Sequence, residues 1–133
     1  MLDLKVIGVI PARYSSTRLP GKPLLDINGK SMVLRVVEQA EKSKLLNEVI
    51  VATDDNRIYE HLFSHGKKAV MTSPEIRTGT DRCYEAVKDT KSDIMVNIQG
   101  DEPLLDPDTI DSLISALAQS DTAVCSTDRK SVV

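Results

Sequence analysis

Three short segments of this chain carry residue types that could do chemistry. The first, Pro11 to Leu24, reads PARYSSTRLPGKPL and places the cations Arg13, Arg18 and Lys22 within one short stretch. Ser15, Ser16 and Thr17 add hydroxyls and backbone N–H groups, Gly21 permits close backbone approach, and Pro20 and Pro23 stiffen the segment. Fixed positive charge, short donors and a backbone able to wrap are what a polyphosphate needs. The same composition also describes a solvated basic loop, and residue types alone leave the two readings even. The second segment, Val96 to Pro103, reads VNIQGDEP. Asp101 and Glu102 follow a glycine there, and one or two carboxylates are the usual protein share of a Mg2+ site completed by substrate phosphate and water. Taken alone, the pair reads better as a turn facing water. Beside a cationic loop at the same sheet edge, it reads as that loop's metal-binding counterpart. The third segment, Thr72 to Arg82 (TSPEIRTGTDR), gathers Arg77, Thr78, Thr80 and Arg82 around Gly79. It suits a base- or sugar-recognition loop, and equally an ordinary helix start with Thr80 as cap and Asp81 favourable to the helix dipole.

The elements that must position these segments follow from periodicity. Strands are expected at Lys5 to Pro11, Glu48 to Thr53, Lys67 to Thr72 and Asp93 to Gln99, with a fifth beginning over Thr122 to Ser126. Helices are expected between them. Ser31 to Ser43 carries Val33, Val36, Val37 and Ala40 on one face. Asn56 to Ser64 turns Ile58, Leu62 and Phe63 inward, and Thr80 to Lys88 is shorter. A last helix starts at Pro107 with Asp106 as N-cap, burying Ile110, Leu113, Ile114 and Leu117. Strands alternating with helices give an α/β fold, a mostly parallel sheet with helices on both faces. In such sheets ligands sit beyond the carboxyl ends of the strands. That rule selects the loops after Pro11, Thr53 and Gln99, and the unusual residues fall there. Gly29-Lys30-Ser31 imitates the end of a Walker A loop, but the first glycine that motif requires is replaced by Leu24. The segment from Asp26 to Lys30 is therefore a turn ahead of a helix that Ser31 caps, and a P-loop NTPase is excluded.

Bulk properties narrow the partners. A formal net charge of -3 argues against a general nucleic-acid binder, which carries a basic balance. No basic region followed by a long apolar run opens the chain, and the longest apolar runs are strand-sized, so neither a secretory signal nor a membrane span is expected. Cys83 and Cys125 follow no metal spacing and read as reduced thiols of a cytoplasmic protein. His61 and His65 read as solvated, and no Ser-His-Asp or Cys-His arrangement stands out.

Together the segments resemble the 3-deoxy-manno-octulosonate (KDO) cytidylyltransferases. The resemblance rests on IPARYSSTRLPGKPL (Ile10 to Leu24), VIVATDD (Val49 to Asp55), MTSPEIRTGTDR (Met71 to Arg82) and VNIQGDEPLLDP (Val96 to Pro107), in order and at the right spacing from Lys5 to about Ser126. It implies a nucleotide-diphospho-sugar transferase fold of the glycosyltransferase-A-like type. It implies the reaction of CTP with KDO to give CMP-KDO and pyrophosphate, with Mg2+, for lipopolysaccharide biosynthesis. Arg13, Arg18 and Lys22 match positions that hold the triphosphate, helped by Ser15, Ser16 and Thr17. Thr78, with the Gly79 backbone, matches a cytosine contact, Gln99 a sugar contact and Asp101 a magnesium ligand. The catalytic set so implied is Arg13, Lys22 and Asp101. Ile76 and Thr78 stand where the family usually has His and Ser, and Thr keeps the hydroxyl. Alternatives are a cytidylyltransferase for another acidic sugar, an amino variant of KDO or a sialic acid, and a nucleotide-binding fragment without turnover.

The family's chains are longer and their full-length members are expected to be homodimers. Residues 1–127 are therefore read as the amino-terminal nucleotide-binding part of one domain, truncated. Residues 128–133 (DRKSVV) do not resemble the family and match the translation of a sequencing-adapter oligonucleotide, so they are read as a non-native tail. The fragment alone is expected to be inactive and poorly soluble or partly unfolded, with the second metal carboxylate and most sugar contacts lying elsewhere.

Overall fold

Apolar alternation along β1 (Val6–Ala12) decides how the molecule is layered. In the computed structural model, which describes residues 5–14, 20–100 and 102–119, Val6, Ile10 and Ala12 enter one core and Ile7 and Val9 another on the opposite side. A strand apolar on both faces belongs at the centre of a parallel sheet. β1 pairs in parallel with β4 (Glu48–Thr53) on one side and β6 (Ile94–Asn97) on the other. β5 (Ala69–Met71) adds beyond β4, giving the order β5-β4-β1-β6. A small antiparallel pair, β2 (Asp26–Ile27) and β3 (Lys30–Ser31), lies between β1 and the first helix. Its turn uses Asn28 at φ 52° and Gly29 at φ 95°, a left-handed pair that Asn and Gly adopt most easily.

Helices cover both faces, as the alternation requires. On one side α1 (Met32–Ala40) brings Val33, Val36, Val37 and Ala40, α2 (Asn56–Ser64) brings Ile58 and Leu62, and α4 (Pro107–Gln119) brings Ile110 and Ile114. On the other, α3 (Gly79–Val87) packs Cys83, Ala86 and Val87 over Ile7, Val9, Ile50, Ala52 and Met95. Capping sets the starts. Ser31 Oγ accepts from the Leu34 N–H at 3.3 Å, Asp55 Oδ1 from the Arg57 N–H at 2.8 Å, and Asp106 Oδ1 from the Asp108 N–H at 2.9 Å.

The differences from the sequence reading are local. α3 begins one residue earlier than expected, because Thr78 rather than Thr80 is its cap: Thr78 Oγ1 accepts from the Asp81 N–H at 3.0 Å. The strands at Ala69–Met71 and Ile94–Asn97 are shorter than their apolar runs, since each pairs with only part of its neighbour, Val51 to Thr53 of β4 and Val6 to Val9 of β1. α1 stops at Ala40, short of Ser43. Phe63 is 72% exposed and Leu113 40% exposed. Ile58 with Leu62, and Ile110 with Ile114, already fill the i, i+4 stripes, and Phe63 and Leu113 lie off them. The expected fifth strand over Thr122 to Ser126 and the tail at 128–133 lie outside the described residues.

Candidate active site

The site is built where β1 ends. The ladder to β6 finishes at Val9↔Asn97, with one more bond from the Ile98 N–H to the Val9 carbonyl at 2.9 Å. Pro11, the next residue on that side of the strand, therefore lacks an N–H where no ladder partner asks for one. Two glycines close on it. A Cβ at Gly100 would lie 2.9 Å from the Pro11 carbonyl oxygen and 3.4 Å from Ile10 Cγ2. The loop after β6 thus lies directly against the end of β1, at a distance only glycine allows. A Cβ at Gly79 would lie 3.3 Å from Pro11 Cγ, so the first turn of α3 packs against the same ring. Pro11 is where all three of the chemically unusual segments meet.

The cationic segment leaves from this point and returns to it. Arg13 is exposed just past the strand. The Tyr14 carbonyl accepts from the Gly21 N–H at 2.7 Å, closing a neck that brings Lys22, half-buried, back beside the strand end. Gly21 sits at φ 76°, and a Cβ there would approach Tyr14 Cε2 to 3.1 Å, so conformation and space both call for glycine. The tyrosine ring also carries Arg57, whose guanidinium carbon lies 3.4 Å from the ring centroid. Asp55 Oδ1 and Oδ2 accept from that guanidinium at 3.1 and 2.8 Å. Hydrogen bonding to Arg57 holds the Asp55 carboxyl below the usual carboxylate range, against a smaller opposing effect of burial.

The recognition segment and the start of the acidic loop reach Pro11 through Gly79 and Gly100. Thr78 is exposed; its oxygen is used in capping, and its O–H proton remains a donor by chemistry. Gly79 follows on α3. Gln99 is exposed beyond β6. Asn97 reaches from the last position of β6 to Thr80 Oγ1 at 3.4 Å, and its Oδ1 is buried with no partner among the described residues. Ser15, Ser16, Thr17, Arg18 and Asp101 lie outside the described residues. Among the described residues no group of three His, Cys, Asp or Glu side chains converges. Mg2+ asks for less than that, one or two carboxylates with phosphate and water, and a loop offering Asp101 and Glu102 straight after Gly100 fits that demand by its donor types.

Several residues have places that their types did not disclose. Arg82, grouped by sequence with the loop cations, is buried at 1% exposure, and burial depresses its basicity, with Asp54 opposing and the like charge of Arg13 adding. His61 is half-buried rather than solvated: its Nε2 lies 2.7 Å from Ser31 Oγ. Its pKa is lowered by burial first and by His65 second. His65 is exposed, as expected. Tyr14, Arg57 and Asp55 were missed altogether. Asp55-Asn56-Arg57 reads as a helix start, and the stack with Tyr14 is a tertiary contact that local spacing does not signal. Cys83 is fully buried, its thiol pushed up to about 12 by burial. No helix among the described residues is long and apolar enough to cross a membrane.

A parallel sheet whose connections change direction at β1, with loops gathered at that switch point, is the architecture of nucleotide-binding α/β proteins. Residues 7–133 match the cytidylyltransferase family, and the chain belongs to it. The 3-deoxy-manno-octulosonate cytidylyltransferase of Parabacteroides distasonis is 50% identical over 123 residues, 91% of this chain and 48% of that protein. The mitochondrial enzyme of the same description from Arabidopsis thaliana is 47% identical over 125 residues, 92% of this chain and 43% of its own length. The solved structure of CMP:2-keto-3-deoxy-manno-octonic acid synthetase complexed with CTP superposes with a TM-score of 0.85 at 45% identity, over 90% of this chain and 49% of that one. A nucleotidyl transferase from Methanothermobacter, 21% identical with a TM-score of 0.71, shares the fold over 85% of this chain and 57% of its own. The chain spans about half the length of the curated relatives it matches.

Proposed function

We propose that this chain forms the nucleotide-binding half of an enzyme that transfers a cytidylyl group from CTP to KDO, giving CMP-KDO and pyrophosphate. The observation that carries the proposal is the convergence on Pro11, which brings a cationic loop, a capped helix start and a glycine-led acidic loop to one strand end. CTP has three parts to hold, and the three segments divide them. Arg13 and Lys22, with Arg18 and the hydroxyls of Ser15, Ser16 and Thr17, take the triphosphate. Thr78 and the Gly79 backbone take the cytosine. Gln99 stands on the acidic-loop side, where the sugar enters.

In the reaction the anomeric hydroxyl of KDO forms a bond to the α-phosphorus, the bond from that phosphorus to the bridging oxygen breaks, and pyrophosphate leaves with the electron pair. The hydroxyl proton passes to solvent. Negative charge accumulates on the phosphoryl oxygens as this proceeds. Cations placed close to the phosphates, Arg13 and Lys22 among them, would offset it. Asp101 would hold Mg2+, which when bound supplies further charge neutralisation at the phosphates. The product would serve lipopolysaccharide biosynthesis, the enzyme would work in the cytoplasm, and the full protein would act as a homodimer. The test is pyrophosphate release by the full-length protein with CTP, Mg2+ and a panel of KDO, its amino variant and sialic acid. KDO should be the best acceptor. Turnover with another acidic sugar and none with KDO would reassign the substrate, and no turnover with any of them would overturn the proposal.

A further inference from the structure

Arg82 heads the fully buried side chains by size, and nothing in the proposed chemistry uses it. Three of the hydrogen bonds its guanidinium makes go to one stretch of chain. Nη1 donates to the Thr72 hydroxyl and, at 3.2 Å, to the Ser73 carbonyl. Nη2 donates to the Ile76 carbonyl at 3.0 Å and lies 3.6 Å from Asp54 Oδ2 at the end of β4. Thr72 to Thr78 runs between β5 and α3 without strand or helix, so its carbonyls need donors from elsewhere. A guanidinium supplies several from one rigid plane, which an ammonium cannot. The backbone N–H of Arg82 also donates to the Thr78 carbonyl at 3.1 Å. One residue thus ties down both the loop and the helix start into which the loop runs. Desolvating a charge is costly, and hydrophobic residues would fill the same space at less cost, so packing alone does not account for an arginine here.

We infer that Arg82 is a positioning residue for nucleobase recognition, holding the Thr72 to Gly79 segment at the height at which Thr78 and Gly79 meet the pyrimidine ring of a bound nucleoside triphosphate. The inference rests on the division of CTP set out under Proposed function. Arg82 acts through the segment and touches no ligand. Its loss should therefore show in base selectivity, while phosphate binding, which belongs to the Arg13 to Lys22 loop, stays.

The experiment is calorimetric titration of the full-length protein with CTP, UTP and inorganic tripolyphosphate, for wild type, Arg82→Lys, Thr72→Val and Thr72→Ser. Arg82→Lys keeps the charge and loses the fork. It should weaken CTP by about tenfold, narrow the CTP-over-UTP preference, and leave tripolyphosphate within about twofold of wild type. Thr72→Val should move in the same direction by less, and Thr72→Ser should restore wild-type behaviour. An unchanged CTP-over-UTP ratio in both Arg82→Lys and Thr72→Val overturns the inference, as does an equal loss of CTP and tripolyphosphate affinity. Where circular dichroism shows Arg82→Lys unfolded, the Thr72 pair decides by the same criterion. A wild-type protein without preference for CTP would sink the cytidylyltransferase proposal and this inference with it, whereas a selective wild type with unmoved variants sinks only the inference.

Discussion

Lys22 and Asp101 are the residues whose roles differ most sharply in kind. Lys22 returns to the strand end through the Tyr14–Gly21 bond and would meet phosphate in the ground state as well as the transition state. Lys22→Ala should therefore raise the KM for CTP by about tenfold to a hundredfold, the worth of a charge-assisted hydrogen bond, with a smaller fall in kcat. Asp101→Asn should do the reverse, lowering kcat with little change in CTP affinity, because metal charge matters most when charge develops. Steady-state kinetics of both variants separate the two roles; identical effects would contradict them. A third residue makes a pH prediction. The imidazole of His61 has its pKa lowered from the ordinary 6.5 by burial, then by His65. The unfolded chain therefore binds the proton more readily, and stability should be fully present above about 6.5 and fall as pH drops through that value. His61→Asn should flatten the fall in melting temperature between about pH 7 and pH 5 relative to wild type; parallel curves would show that His61 is not responsible. At this scale the sequence disclosed the candidate contacts by type, because cations, hydroxyls and carboxylates announce their chemistry. It did not disclose Arg57 over Tyr14 or the burial of Arg82, since both depend on what the fold brings opposite them.

The elements were legible wherever one apolar period dominated. α2 was placed at Asn56–Ser64 from its pattern alone, and the central strand from its unbroken apolar run. What periodicity does not resolve is the edge of a stripe. Phe63 and Leu113 are apolar and adjacent to the stripe, yet the sheet beneath is already covered by Ile58, Leu62, Ile110 and Ile114. The cap of α3 was likewise displaced from Thr80 to Thr78, because both threonines suit a cap and only the packing of Gly79 on Pro11 selects between them. Because α2 contributes only Ile58 and Leu62 as buried side chains, each should matter greatly. Ile58→Ala should cost about 2–5 kcal/mol of stability, measured by denaturant unfolding, whereas Phe63→Ala should cost less than about 1 kcal/mol. Comparable losses at the two positions would contradict the assignment of the buried face.

At the scale of the whole molecule, segments far apart in sequence meet at one place. Pro11, Gly79 and Gly100 are separated by most of the chain, yet the order β5-β4-β1-β6 sets β6 beside β1 and α3 across the face they share. The fold class could be read from alternation of strands and helices, and the switch-point rule named the loops in advance. The strand order itself is a tertiary fact, and no local pattern states it. The most direct test is CTP titration of the full-length protein labelled with 15N-glycine. The backbone signals of the six glycines of this chain are assigned and followed. Gly79 and Gly100 should shift together along one binding isotherm, while Gly66, at the turn between α2 and β5, should stay in place. Gly79 and Gly100 following different isotherms, or remaining still while CTP binds, would contradict a single nucleotide site built around Pro11.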